Sequence, residues 1–139
     1  AIAKRFNILA IGYDRWRIDE FKHELGKVSC EVAMEPFGQG YKDMSPAVEN
    51  LAELALTARL RHGGHPVLNA CVANAILTKP DDAGNMKFAK GKANEGTPVR
   101  IDGIVALAMA LGTAKRKMII VPPAFMTSAD ILARAGDVL

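Results

Sequence analysis

The apolar residues of this chain follow two different periods, and the alternation of the two along the sequence restricts the fold most strongly. Segment 8–11 is a short continuous apolar run, typical of a strand buried on both faces. The next segment places Ile18, Phe21 and Leu25 three and four positions apart, the spacing of one helix face. A strand is predicted at 30–35. The predicted order, strand, helix, strand, helix, hairpin, helix, favours layers of the α/β or α+β type.

Turn and cap residues divide the rest of the chain into further predicted elements. Ser45-Pro46 stands in the favoured order for a helix start, a capping residue followed by proline. Two strand-like runs on either side of a turn-rich stretch at 80–85 predict a β-hairpin. The predicted elements are a helix from Ser45 to near Arg61, a short apolar element over 67–72, hairpin strands over 76–79 and 86–90, a helix from Ile101 to near Gly112, and a strand over 118–121.

Composition excludes several classes of protein. The chain has 139 residues, half of them hydrophobic and 24% charged, which suffices for one buried core. A net charge of +3 is compatible with a polyanionic partner without requiring one. Two cysteines exclude a disulfide-rich scaffold and a cysteine-based zinc site, and predict free thiols in a reducing compartment. No apolar run reaches the ~18 residues of a membrane span. The chain begins almost directly with a strand, so we expect it to be part of a longer protein.

Two carboxylates, Asp14 and Asp102, lie at positions that suit either a metal ligand or an acid with a purely structural role. Asp14 follows the first predicted strand, at the sheet edge where α/β proteins bind ligands. It could equally cap the following helix. Asp102 opens an apolar helix, where the helix dipole alone favours an acid, and Gly103 leaves room for a ligand. Each acid taken alone is predicted to be structural, but if the two converged they could hold Mg²⁺, which prefers oxygen ligands.

The remaining candidate sites are a pair of histidines, a cysteine and a group of cations. His62 and His65 flank two glycines in a turn, and no third ligand has the spacing of a zinc site. Cys71 lies in an apolar segment and is predicted to be buried filler. The cations could form a solvated face or contact phosphates, and they are Lys79, Lys87, Lys90, Lys92 and Arg100.

Several short motifs, in order, resemble the C-terminal nuclease domain of tailed-phage terminase large subunits, the motor proteins of DNA packaging. The resemblance extends from Phe6 to about Ala114. Each motif is weak alone, but their common order over a hundred residues is specific. They are the segments 11–16, 38–40, 44–46, 61–68, Asn74, 82–85, Lys90 and 100–107.

The resemblance implies a fold, an activity and a set of site residues. The family has a ribonuclease H-like (RNase H-like) mixed sheet flanked by helices. It cuts concatemeric double-stranded DNA with two divalent ions, Mg²⁺ or Mn²⁺, held by acidic residues. Asp14 and Asp102 match two of the family's acids, and the resemblance makes both of them catalytic metal ligands, with the five cations above contacting DNA.

The resemblance also implies partners and a division of the chain. The family's partners are the small terminase subunit and the portal protein, in the cytoplasm of the host cell, with homo-oligomers possible and no membrane. We expect a partial nuclease domain over 1–114 and a C-terminal extension over 115–139.

This sequence departs from the family pattern in ways that leave a second function open. The family usually has asparagine where His65 stands and an aromatic residue near Ala70, and segment 95–99 is longer than usual. Its first catalytic acid lies on an earlier strand, and we expect this chain to start after that strand and to lack the ATPase half. Unless Glu35, Asp81 or Asp82 completes the site, we expect the chain alone to cut DNA weakly or not at all. The alternative is a non-catalytic module that binds DNA or packaging partners.

Overall fold

A computed structural model of the chain describes residues 5–16, 18–28, 32–92 and 99–120. Within these residues, four helices and four short strands follow one another in a mixed α/β order, which confirms the predicted class at that level. The elements are β1 (Ile11–Tyr13), α1 (Ile18–Lys27), β2 (Met34–Pro36), α2 (Tyr41–Leu56), α3 (Pro66–Asn74), β3 (Ala75–Leu77), β4 (Phe88–Lys90) and α4 (Asp102–Ile120).

The described strands form two separate pairs. β1 and β2 are parallel, with Ile11 opposite Met34 and Tyr13 opposite Pro36, and α1 connects them as parallel pairing requires. β3 and β4 are antiparallel, with Ala75 opposite Lys90. The second pair confirms the predicted hairpin, although each of its strands is shorter than the sequence indicated.

Helices α2 and α4 pack antiparallel and form most of the core. Gly112 of α4 lies where a Cβ would be 2.6 Å from the Phe37 ring and 3.2 Å from the Ala47 Cβ, so the lack of a side chain lets the helices approach closely. Near the other end of α4, Ile104 and Leu107 line one cavity with Leu51. The buried hydrophobic residues are Phe37, Met44, Ala47, Val48, Leu51, Cys71, Ile101, Ile104, Ala108 and Met109.

Helix α2 begins at Tyr41, four residues before the Ser45-Pro46 pair, so the predicted start was wrong. The Ser45 hydroxyl accepts a hydrogen bond from the Met86 backbone N–H at 3.2 Å, so it anchors the hairpin and does not cap α2. Pro46 lies inside the helix, in its second turn. Intrahelical bonding has already begun with the Met44 N–H donating to the Gly40 carbonyl, so Pro46 leaves the Lys42 carbonyl without its helical donor.

Helix α4 continues to Ile120 and does not end near Gly112. The strand predicted over 118–121 is therefore wrong for residues 118–120, and Val121 lies outside the described residues. Two contacts explain the extension. Gly112, within α4, packs against Phe37. Arg116, one turn later in the same helix, pairs with Asp43 of α2. The predicted domain division after residue 114 falls inside α4, and most of the predicted extension lies outside the described residues.

The short apolar element predicted over 67–72 is helix α3. His65 caps it, with Nδ1 accepting a hydrogen bond from the Val67 N–H at 3.3 Å, and Pro66 occupies the first helical turn. In the described ranges, no helix is long and apolar enough to cross a membrane.

Candidate functional site

Asp14 lies in the turn directly after β1 and is half-buried. Its Oδ1 accepts a hydrogen bond from the Trp16 backbone N–H at 3.2 Å. The carboxylate therefore closes the turn between β1 and α1. Because α1 begins only at Ile18, the bond that the structure shows is a turn bond and not a cap on the first helical residues.

Asp102 is the first residue of α4 and is exposed. The chain before it is held by Asn74, whose side-chain amide donates to the Arg100 carbonyl at 3.3 Å. A Cβ on Gly103 would lie 3.1 Å from the Cys71 Sγ. The Cβ side of Gly103 thus faces the buried thiol of α3, so the lack of a side chain there lets α4 pack closely on α3.

The structure places the residues before Asp14 against the second half of α4, whereas Asp102 is the first residue of that helix. Gly12, two residues before Asp14, lies against the side chain of Thr113. The Tyr13 carbonyl accepts a hydrogen bond from the Phe37 N–H, and the Phe37 ring packs on Gly112 of α4. Thr113 is eleven residues beyond Asp102, a rise of about 16 Å along the helix.

The metal ions of a two-metal centre lie only ~4 Å apart, so their ligands must lie much closer together than this rise along the helix. Within the described residues, no group of three His, Cys, Asp or Glu side chains could hold a metal ion. The arrangement of the described residues therefore does not fit a two-metal centre.

The other acids considered from the sequence have different roles. Asp81 accepts hydrogen bonds from the side chain and backbone of Asn85 and from the Ala83 N–H, and these bonds lower the pKa of Asp81. It closes the hairpin turn, and Asp82 is exposed beside it. Glu35 lies on β2 opposite Gly12. None of these acids joins Asp14 or Asp102 in a group that could bind a metal within the described chain.

The five predicted DNA-binding cations lie along the hairpin and at its junction with α4. At one end, the Gly91 N–H donates to the Asn74 carbonyl at 2.8 Å, which places the end of β4 beside the start of α4. At the other end, the Lys87 Nζ lies 5.2 Å from the centre of the Tyr41 ring, at the start of α2. Four of the five are exposed, and Lys87 is half-buried: Lys79, Lys87, Lys90, Lys92 and Arg100. The predicted cations thus lie on the hairpin or on the chain between the hairpin and α4.

Sequence reasoning missed an ionic cluster at the other end of α4. Asp43 accepts from the Gly38 N–H at 2.8 Å and pairs with Arg116 at 2.5 Å. Burial raises the pKa of Asp43, but the Gly38 hydrogen bond, Arg116 and the charge of Arg15 together hold it below its usual value. An acid in the first turn of a helix is visible in the sequence, whereas a partner 73 residues away is not.

Comparisons with known proteins agree with the family resemblance that the sequence motifs indicated. A family model described as the terminase large subunit, endonuclease domain, matches residues 1–117. The terminase large subunit of Enterobacteria phage HK97 is 46% identical over 109 residues, which are 78% of this chain and 21% of that protein. Protein YmfN of Escherichia coli (strain K12) is 34% identical over 77 residues, which are 55% of this chain and 16% of that protein.

A solved structure is similar as well. The crystal structure of the HK97 bacteriophage large terminase matches with a TM-score of 0.69 at 41% identity, over 81% of this chain and 22% of that one. The chain thus spans about a fifth of the length of that relative. With a family model that matches most of its length and a relative at 46% identity, this chain belongs to the family of terminase large subunit endonuclease domains.

Proposed function

We propose that this chain is part of a metal-dependent endonuclease that cuts concatemeric double-stranded DNA during viral packaging. The observation that carries the proposal is the family match over residues 1–117. The exposed cations of the hairpin support it, because phosphate contacts need such side chains. We extend the proposal to the fold: the parallel β1–α1–β2 unit, with α4 packed on β1, is compatible with part of an RNase H-like sheet.

The cofactor proposed for the complete enzyme is Mg²⁺ or Mn²⁺, which would activate water and stabilise the leaving oxygen. Asp14 and Asp102 stay candidate ligands because they match the family's acids. The strand before Asp14 contacts α4 at Thr113, about 16 Å along the helix from Asp102, which favours separate roles for the two acids in this chain. We therefore derive no catalytic step through a metal from these residues.

Cleavage of supercoiled plasmid with added Mg²⁺ or Mn²⁺ tests the proposal. We expect a complete terminase large subunit carrying this sequence to cut, and the 139-residue chain to cut far less or not at all. Two divalent ions repel each other and need several carboxylates close together, which the described residues do not provide. We expect Asp14→Asn and Asp102→Asn each to lower cleavage by the complete protein. Failure of the complete protein to cut with either metal contradicts the proposal, and rapid cutting by the 139-residue chain contradicts the site geometry.

The separation of the two acids favours a second candidate function for the chain by itself. It would be a non-catalytic module that binds double-stranded DNA and meets the packaging partners, the small terminase subunit and the portal protein. The two functions differ in one readout, because a module retains DNA binding without metal-dependent cutting.

DNA binding by the hairpin can be tested with a charge-neutralised variant. Replacing Lys87, Lys90 and Lys92 with glutamine should weaken binding to duplexes of unrelated sequence about equally. The slope of log affinity against log salt should become shallower by roughly 0.9 for each phosphate that the variant no longer neutralises. Lys27→Gln is the matched control, because Lys27 is exposed at the end of α1 and pairs with Glu24. An unchanged slope in the triple variant would show that these lysines form only a solvated face.

A further inference from the structure

The turn after β1, the start of α2 and the end of α4 bring further cations together outside the hairpin. We define the α4-end cluster as Arg15, Lys42, Lys115 and Arg116, all of them exposed. These residues come from three distant parts of the sequence, so they do not form a run of charge that could be recognised without the fold.

Asp43 brings two members of the α4-end cluster, Arg15 and Arg116, to the same carboxylate. Its carboxylate pairs with Arg116 at 2.5 Å, and its pKa is lowered by Arg15 as well. Lys42 precedes Asp43 on α2, and Lys115 precedes Arg116 on α4. Arg116 is further fixed by Phe37, whose ring centre lies 4.4 Å from the Arg116 Cζ.

The charge of the α4-end cluster remains positive after its acids are counted. Asp43 offsets the charge of Arg116, with which it pairs. Asp14, next to Arg15, is half-buried and bonded to the Trp16 N–H. Lys42 and Lys115 are exposed, and each precedes one residue of the pair along its own helix. The four cations outnumber these two acids, so the cluster keeps a net positive charge that can attract an anion.

The α4-end cluster continues the cationic edge of the hairpin. Lys87 reaches over the ring of Tyr41, and Tyr41 directly precedes Lys42. The hairpin edge begins beside Asp102, and the α4-end cluster contains Arg116, fourteen residues further along α4. The two ends are thus about 21 Å apart along the helix. Duplex DNA rises about 3.4 Å per base pair, so this length corresponds to about six base pairs.

We propose that duplex DNA lies along one basic track, from Arg100 and Lys90 through Lys87 to the α4-end cluster. The inference rests on the proposed function, and it extends the DNA contact beyond the hairpin. Lysine and arginine on such a track contact phosphates and carry no sequence information, so the contact positions DNA and does not select a base sequence. Asp102 and Asp14 lie beside the two ends of the track.

A triple variant, Arg15→Gln with Lys42→Gln and Lys115→Gln, tests the track. Arg116 is left unchanged because it pairs with Asp43. Affinity of the 139-residue chain for a fluorescent 20-base-pair duplex is measured over a range of salt. We expect the log-log slope to become shallower by about 0.9 for each phosphate that the variant leaves without a cation. Arg61→Gln is the matched control, because Arg61 is exposed beyond the far end of α2 from Lys42, more than about 20 Å away along the helix axis.

Trp16 provides a second readout at the end of the track. It is the only tryptophan of the chain, its side chain is 82% exposed, and it follows Arg15 directly. We expect its emission to change when unlabelled duplex is added, and to change less in the triple variant.

The outcomes separate this proposal from the proposed function. If the chain binds DNA, the hairpin lysines carry the salt dependence, and both the triple-variant slope and Trp16 emission stay unchanged, the track is refuted and the proposed function stands. If the triple variant loses only its affinity for the small terminase subunit, the α4-end cluster binds a protein and the proposal is wrong. If the unsubstituted chain does not bind duplex DNA at all, both fail.

Discussion

The Asp43–Arg116 pair joins α2 to α4, and Asp43→Ala is the substitution that best tests its contribution. The change removes the acceptor of the Gly38 N–H and leaves Arg116 unpaired. A hydrogen bond to a charged group contributes about 1.5–3 kcal/mol. The ion pair adds only about 0.5–1 kcal/mol, because 46% of the Arg116 side chain is exposed and solvent screens it.

We therefore expect Asp43→Ala to lower the free energy of unfolding by about 2–4 kcal/mol. Because the carboxyl pKa is held below its usual value, this contribution is complete above the unfolded pKa of about 3.9 and is lost as pH falls through the folded pKa. Stability of the unsubstituted chain should thus decline below about pH 4, and the variant should decline less.

Urea unfolding at pH 7 and pH 3.5 measures both effects. Asp43→Asn keeps an acceptor for Gly38 and loses the charge, so it should cost about 1 kcal/mol. Asp82→Ala, exposed on the hairpin turn, is the control and should change stability by less than about 0.5 kcal/mol. A change below about 0.5 kcal/mol for Asp43→Ala would refute the reasoning.

Two further substitutions test how the elements are joined. Gly12→Ala would place a Cβ against the Thr113 Oγ1, so it should destabilise the chain by about 1–3 kcal/mol in thermal or urea unfolding, and Thr113→Ala should restore much of the stability. Without that rescue, β1 does not pack on α4 as described. His65→Ala should cost about 0.5–1 kcal/mol by removing the cap of α3, whereas His65→Asn should keep stability because asparagine is a good cap. Equal destabilisation in the two His65 variants would contradict the capping role.

Much of the fold can be predicted from local sequence patterns. The features that could not be predicted depend on contacts between residues far apart in the sequence. The change between strand and helix periods predicts the order strand, helix, strand, and turn residues predict the hairpin. The strand bounds were wrong, because β1 shares only Ile11 with the predicted strand at 8–11 and β2 begins at Met34, near the end of the predicted strand at 30–35.

The start of α2 was predicted wrongly because the Ser45 hydroxyl does not cap the helix. It accepts a hydrogen bond from the Met86 N–H, 41 residues away. The length of α4 was missed because Gly112 and Arg116 find Phe37 and Asp43 across the core.

The candidate site was predictable in its residues and not in its geometry. Asp14 and Asp102 follow a strand and open a helix, as the sequence indicates. Their separation depends on where β1 packs along α4, which is set by the contact between Gly12 and Thr113. The α4-end cluster was hidden for the same reason, since its members meet only when α2, α4 and the turn after β1 are assembled.

We propose that this chain binds DNA through its exposed cations and that Asp14 and Asp102 do not share a metal ion. Titration of the 139-residue chain with Mn²⁺, with free Mn²⁺ followed by electron paramagnetic resonance, tests this most directly. Because the strand before Asp14 packs on α4 at Thr113, about 16 Å along the helix from Asp102, we predict no tight site that depends on both acids. Asp14→Asn and Asp102→Asn should therefore have independent effects on any weak binding. A tight site abolished by either substitution alone would contradict the account.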